Sequence, residues 1–128
     1  MNILFVCRHN RFRSKVAEAL FSKYNKNKNN KVKSCGVKHD LLYVDDNVKN
    51  VLLEYGIKKV DNTPRFIDNG LREWADRIVV VADNVTLDSS EKVEIWPVTD
   101  CEQSDKEGIK IRVEEISKRI KELILRLK

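Results

Sequence analysis

The pattern of apolar and polar positions changes twice within the first quarter of the chain. Asn2 to Val6 is a short, nearly continuous apolar run containing Ile and Val, which predicts a buried strand. The polar segment from Cys7 to about Phe12 then reads as a loop. From Ser14 to Tyr24, Ala17, Leu20, Phe21 and Tyr24 recur at three and four positions, the spacing of one helix face. Ser14 suits the start of that helix. The chain therefore opens as strand, polar loop and helix.

The same pattern recurs downstream. Asn25 to Lys31 is almost entirely Asn and Lys and has no apolar face to bury, so it is a solvated connection. Val32 to Cys35 is expected to form a second strand ending at Gly36, and Asp46 to Tyr55 a helix closed by Gly56. Arg65 to Trp74 is expected to be helical after the Thr63-Pro64 turn. Ile78 to Ala82 and Val93 to Trp96 read as buried strands, the second stopped by Pro97. Ile109, Val113, Ile116, Ile120, Leu123 and Leu127 form the stripe of a last helix. At under three heptads it suits core packing better than a coiled coil. Strands that alternate with helices imply an α/β fold: a parallel sheet covered on both faces, with right-handed crossovers. Ligands bind such sheets beyond the carboxyl ends of the strands.

Composition narrows this reading without redirecting it. A chain of 128 residues with 41% hydrophobic content suits one compact domain spanning 1–128. Met1 to Val6 lacks the longer apolar region and cleavage site of a signal peptide, and no run approaches the roughly 20 apolar residues that span a bilayer. Three widely spaced cysteines, Cys7, Cys35 and Cys101, fit neither a disulfide framework nor a paired zinc signature. Reduced thiols in the cytoplasm are the expectation, with no membrane partner. The net charge of +5 favours anions in general, but both signs are interleaved along most of the chain.

Specific chemistry enters in the first loop, Cys7-Arg8-His9-Asn10-Arg11-Phe12-Arg13-Ser14. A cysteine between a strand end and a helix N-terminus lies where backbone N–H groups and the helix dipole stabilise negative charge. Such a field favours thiolates and binds phosphate dianions. Five intervening residues allow the loop to wrap a tetrahedral anion and return Arg13 to its side, where a planar guanidinium can clamp two oxygens. Ser14 is placed to donate its hydroxyl to the Cys7 thiolate. Cys-x5-Arg-Ser/Thr arises by chance in on the order of one chain in a hundred of this length. The strand-loop-helix setting makes the match more specific still.

The segment Val6-Cys7-Arg8-His9-Asn10-Arg11-Phe12-Arg13-Ser14-Lys15-Val16-Ala17-Glu18 resembles, without gaps, the low-molecular-weight protein tyrosine phosphatase motif Val-Cys-x-Gly-Asn-x-Cys-Arg-Ser-Pro-x-Ala-Glu. Ser34-Cys35-Gly36 is similar to the family's Ser-Ala-Gly after its second strand, and Ala75-Asp76-Arg77-Ile78-Val79-Val80-Val81 to the lead into its third. The resemblance implies a single-domain three-layer sandwich, a four-stranded parallel sheet with helices on both faces. It also implies two-step hydrolysis of phosphate monoesters, protein phosphotyrosine foremost, through a phosphocysteine intermediate without metal or other cofactor. Cys7 would attack, Arg13 would bind the phosphoryl group, and residues Cys7 to Arg13 would bind phosphate. Asn10 would hold the loop through side-chain hydrogen bonds and tolerance of left-handed backbone.

A general acid is required for the leaving oxygen. The family's Asp-Pro after the fourth strand falls on Asp100-Cys101, so Asp100 is the candidate and Asp105 a second. Several positions depart from the family pattern. His9 stands where it has glycine, which calls for a negative φ or tolerated left-handed geometry. Phe12 replaces the second loop cysteine, and Arg11 lies where the entrance is shaped and would favour acidic or polyanionic substrates. The aromatic pair is replaced by Glu102 and Gln103, which leaves phosphotyrosine, phosphoarginine and small phosphate esters open.

His9 and His39 have no partner at metal spacing and read as solvent-facing, and Cys35 reads as core. The basic residues Arg8, Arg11, Arg13 and Lys15 lack the aromatic platform of a nucleic-acid surface, so no nucleic-acid partner is expected. Two alternatives share the loop. A thiol-dependent arsenate reductase would need shuttle cysteines, one directly after the third strand where this chain has Ala82-Asp83-Asn84. A non-catalytic phosphate-binding module would need no acid at Asp100.

Overall fold

The computed structural model describes residues 1–88 and 90–127. In chain order its elements are β1 (Asn2–Cys7), α1 (Arg13–Tyr24), β2 (Lys31–Gly36), α2 (Asp46–Glu54), α3 (Asn69–Trp74), β3 (Arg77–Val81), β4 (Val93–Trp96) and α4 (Lys106–Arg126). The strands form one parallel sheet in the order β2-β1-β3-β4. The chain steps from β1 to one side for β2 and then crosses to the other for β3. The carboxyl ends of β1 and β3 therefore flank a switch point, the place where such sheets receive ligands.

Continuous apolar runs are required here because both sheet faces are covered. Ile3, Phe5, Val79 and Val81 point to one side, where α1, α2 and α4 pack over them. Phe5 contributes most of the aromatic contact there, its ring lying 6.1 Å from Phe21 and 5.8 Å from Trp96. Leu4, Val6, Ile78 and Val80 point to the other side, beneath a thinner layer of α3 and its flanking chain. The stripe on α4 lies in the first core, with Ile109, Val113, Ile116, Ile120 and Leu123 fully buried, as expected of a packing helix. Among the described residues no helix is long and apolar enough to cross a membrane.

Two expectations are corrected. Arg65 to Trp74 is not one helix. Gly36 bridges to Phe66 in parallel fashion, Gly36 N–H donating to the Arg65 carbonyl at 2.8 Å and Ile67 N–H to that of Gly36 at 2.9 Å. That pairing holds Arg65 to Ile67 extended, so the helix begins only after Asp68, whose side chain accepts from Leu71 N–H. The second concerns the start of α1. Phe12, not Ser14, occupies the cap position, without a side-chain cap bond, and the Ser14 hydroxyl is committed elsewhere.

The bridge at Gly36 also presses β2 against the loop after β1. A Cβ on Gly36 would lie 2.7 Å from Asn10 N, 2.8 Å from His9 C and 2.9 Å from Arg8 O, all backbone atoms that cannot swing aside. Gly36→Ala is therefore expected to destabilise the fold by about 1–3 kcal/mol by overpacking. A lowered midpoint in urea with an unchanged slope would register this, and an unchanged midpoint would contradict it.

Candidate active site

The loop from Cys7 to Phe12 leaves β1 and enters α1 as an arch closed over a buried amide. Asn10 is the only non-glycine residue with positive φ (54°) among the described residues, and asparagine tolerates this conformation better than most. His9 consequently has a negative φ, and its replacement of glycine introduces no left-handed strain.

The Asn10 side chain, 1% exposed, fixes the polarity of the surrounding hydrogen bonds. Its Oδ1 accepts from Arg65 N–H at 2.9 Å, so its Nδ2 faces inward, donating to Ser14 Oγ at 2.8 Å and Ser34 Oγ at 3.0 Å. Each serine, having accepted from Asn10, turns its own proton onward. Ser34 donates to Glu18 Oε1 at 2.7 Å. Ser14 Oγ lies 2.9 Å from Cys7 Sγ, where its hydroxyl can donate to the sulfur once that sulfur is a thiolate.

Arg13 is equally buried, at 2% exposure. Nη1 donates to the Val98 carbonyl at 2.9 Å and Nη2 to Asn84 Oδ1 at 3.2 Å. Asp83 Oδ1 lies 3.5 Å from Nη1 and Asp100 Oδ2 lies 3.8 Å from Nη2. The loops after β3 and β4 thus converge on the guanidinium. The second of these is held by α4 and α2, through Arg112 Nε to the Thr99 carbonyl and Asn47 Nδ2 to the Gln103 carbonyl, both at 2.8 Å.

Cys7, Arg13, Ser14 and Asp100 are therefore brought to one place. Asp105 is not, because its side chain caps α4 by accepting from Gly108 N–H at 2.9 Å. Beside Asp100 opens a cleft of about 510 Å³ lined by His9, Arg11, Leu42, Asp100, Cys101, Glu102 and Gln103. His9 is not the solvent-facing residue expected. Its Nδ1 pairs with Asp40 Oδ2 at 2.7 Å, and it is only partly exposed. His39 is exposed and stacks on Phe66, with ring centroids 4.6 Å apart. Arg11 is tethered through Nε to the Tyr43 carbonyl at 3.2 Å.

The other thiols are set apart from this arrangement. Burial, with Cys7 nearby, pushes the Cys35 thiol up to about 12. Burial also raises that of Cys101, against the pull of the Arg112 guanidinium. Among the described residues, no group of three or more His, Cys, Asp or Glu side chains is placed to hold a metal ion.

Sequence reasoning missed Asp83, Asn84 and Arg65. The first two lie just beyond β3, after Ala82, and that position past a strand end was the available signal. Arg65 acts through its backbone, for which a side-chain pattern carries no signal. Ser34, Gly36 and Glu18 lie within recognisable segments, but their joint role requires the contact map.

The comparisons with known proteins agree with this geometry. An arsenate reductase from Archaeoglobus fulgidus is similar over 95% of this chain and 98% of its own, at 33% identity and a TM-score of 0.80. A low molecular weight protein tyrosine phosphatase from T. tengcongensis is similar over 98% and 99%, at 26% identity and a TM-score of 0.86. An arginine phosphatase from Geobacillus stearothermophilus, at 21% identity, shares the fold over 98% of this chain and 92% of its own, with a TM-score of 0.83. No curated protein matches in sequence. The sequence profile of the low molecular weight phosphotyrosine protein phosphatases matches residues 2–128, and the chain belongs to that family.

Proposed function

We propose that this chain is a cytoplasmic, cysteine-dependent phosphatase that hydrolyses phosphate monoesters, with protein phosphotyrosine as the leading substrate, through a phosphocysteine intermediate and without a cofactor. The observation that carries the reading is the hydrogen-bond chain from Arg65 N–H through Asn10 and Ser14 to the Cys7 sulfur, in the loop that leads into the buried Arg13. A serine hydroxyl at this distance can donate its proton to a thiolate and so stabilise the charged nucleophile.

In the first step the Cys7 thiolate attacks phosphorus. The S–P bond forms as the P–O bond breaks, and Asp100, entering as the carboxylic acid, gives its proton to the leaving oxygen. Arg13 holds two of the three non-bridging oxygens as charge accumulates on them; its five N–H donors exceed those engaged by Val98 and Asn84. In the second step water attacks phosphorus and yields one proton to the Asp100 carboxylate. The S–P bond breaks, and the departing thiolate is received by the Ser14 hydroxyl. Inorganic phosphate leaves, and both residues return to their starting states.

A thiol-dependent arsenate reductase is the second reading, supported by the 33% identity to the Archaeoglobus protein named as such. Against it stand Asp83 and Asn84 in the loop after β3, which engage Arg13 where a shuttle thiol would be needed. Cys35 is fully buried besides.

Hydrolysis of para-nitrophenyl phosphate in EDTA is expected, inhibited by vanadate, and reduced more than about 10³-fold in Cys7→Ser. Arsenate reduction with thioredoxin, in a wild type that does not hydrolyse the ester, would move the assignment to a reductase. Phosphate binding with neither activity would identify a binding module. The choice of acid is separable by stability. Asp100→Asn is expected to lower kcat about 10²-fold with phosphate inhibition unchanged. Asp105→Asn should leave kcat near wild type, while Asp105→Ala loses about 1 kcal/mol of stability with the α4 cap. The opposite pattern would make Asp105 the acid.

A further inference from the structure

Lys15 follows Ser14 in the first turn of α1, where the family motif has proline, and its side chain is only 1% exposed. Nζ donates to the Thr63 carbonyl at 2.7 Å. That carbonyl belongs to a short braced segment. Asp61 accepts from Thr63 N–H at 3.0 Å through one carboxylate oxygen and from Arg65 Nη2 at 2.6 Å through the other. The same segment presents Arg65 N–H to Asn10 and the Arg65 carbonyl to Gly36. Lys15 is thus a direct side-chain tie between α1 and the backbone that orients the Asn10 amide.

Burying an ammonium group is unfavourable unless its surroundings compensate. Those surroundings are Glu18 on α1, Asp61 and Arg65 on the facing segment, and Cys7 at the end of β1. They compensate only in part. Burial pushes the Lys15 ammonium below the usual lysine range, with Glu18 and Asp61 pulling back and Arg65 adding to the fall. Between that lowered value and the ordinary 10.5 the unfolded chain binds more protons than the folded one, so this group makes stability rise with pH. Below that window its full penalty is present. A methionine would fill nearly the same space without it. A buried cation tied to the backbone that orients Asn10, beside the loop that holds Cys7, points to a role in the site.

We infer that Lys15 is a positioning residue of the phosphate-binding loop: it ties the Thr63–Arg65 backbone to α1 so that Asn10 and Ser14 stay aimed at Cys7, and it holds a buried positive charge within electrostatic reach of that sulfur. The inference rests on the reading of Cys7 as a nucleophile, but it is tested by a reaction that needs no turnover.

The test compares wild type, Lys15→Met and Lys15→Arg by thermal unfolding and by the rate at which iodoacetamide labels Cys7 across pH, the labelled position being read by peptide mass spectrometry. Lys15→Met is expected to fold, losing the Thr63 tie but also the penalty of the buried charge. Its Cys7 should nonetheless be labelled about fivefold more slowly near about pH 6, as a partly screened charge at close range requires. The gap should close at high pH, where the thiol ionises in both proteins and Lys15 itself loses its proton. Lys15→Arg, which keeps the charge, is expected to label within about twofold of wild type. A labelling profile for Lys15→Met that overlays wild type would overturn the inference. So would a Lys15→Met protein that is unfolded, or labelling slowed equally in Lys15→Met and Lys15→Arg at every pH, since Lys15 would then be an ordinary structural residue. A wild type that labels normally but hydrolyses no phosphate ester would sink the phosphatase reading while leaving this comparison decisive for Lys15.

Discussion

One buried amide organises this molecule's candidate site. Asn10 has one carbonyl and two N–H groups, and each finds a partner: Arg65 N–H on one side, Ser14 and Ser34 on the other. The left-handed turn at Asn10 makes this possible, because it points the side chain back under the loop. A buried polar group that loses its partner costs about 1–3 kcal/mol. Rotating the amide by half a turn would set N–H against N–H at Arg65 and leave both serines without their donor. The orientation is therefore locked, and with it the position of the Ser14 hydroxyl against Cys7.

That lock depends on structure distant in sequence. The Arg65 N–H is available only because residues 65–67 are extended against Gly36, and Gly36 admits the loop backbone only because it has no Cβ. Arg13 is held by loops that follow β3 and β4. The parallel sheet brings the carboxyl ends of β1, β2, β3 and β4 to one edge, so groups from four connections meet within a few ångströms. Neither loop nor helix would bury Asn10, Arg13, Ser14 and Lys15 unaided. The sheet supplies the partners that make this burial tolerable.

How much of this was legible in the sequence follows from the same distinction. The strands and the long helix announce themselves, because alternating or continuous burial leaves a periodic trace: Ile109 to Leu123 could hardly be read otherwise. The Cys-x5-Arg-Ser spacing is likewise local, and the structure brings its members together. Arg65 to Ile67 was misread because Phe66, Ile67 and Leu71 mimic a helical spacing. What decides that segment is a backbone pairing with Gly36, about thirty positions earlier. The roles of Asp83, Asn84 and His9 were invisible for the related reason that each is defined by a partner on another loop.

The entrance follows a different logic from the floor. The floor is buried, and the Asn10 amide is matched at every donor and acceptor, whereas the cleft beside it carries side chains of both signs. Arg11 and His9 come from the loop after β1, and Asp100 and Glu102 from the segment after β4. Two of these side chains are already tethered, Arg11 to the Tyr43 carbonyl and His9 to Asp40, so both are steered by the 40–43 segment. In the proposed reading, a phosphate at the floor and the group that bears it would be met by separate parts of the chain. The floor is fixed by buried hydrogen bonds that tolerate little change. The walls are surface loops that can vary without disturbing it, which is how one phosphate-binding arch can serve chemically different leaving groups.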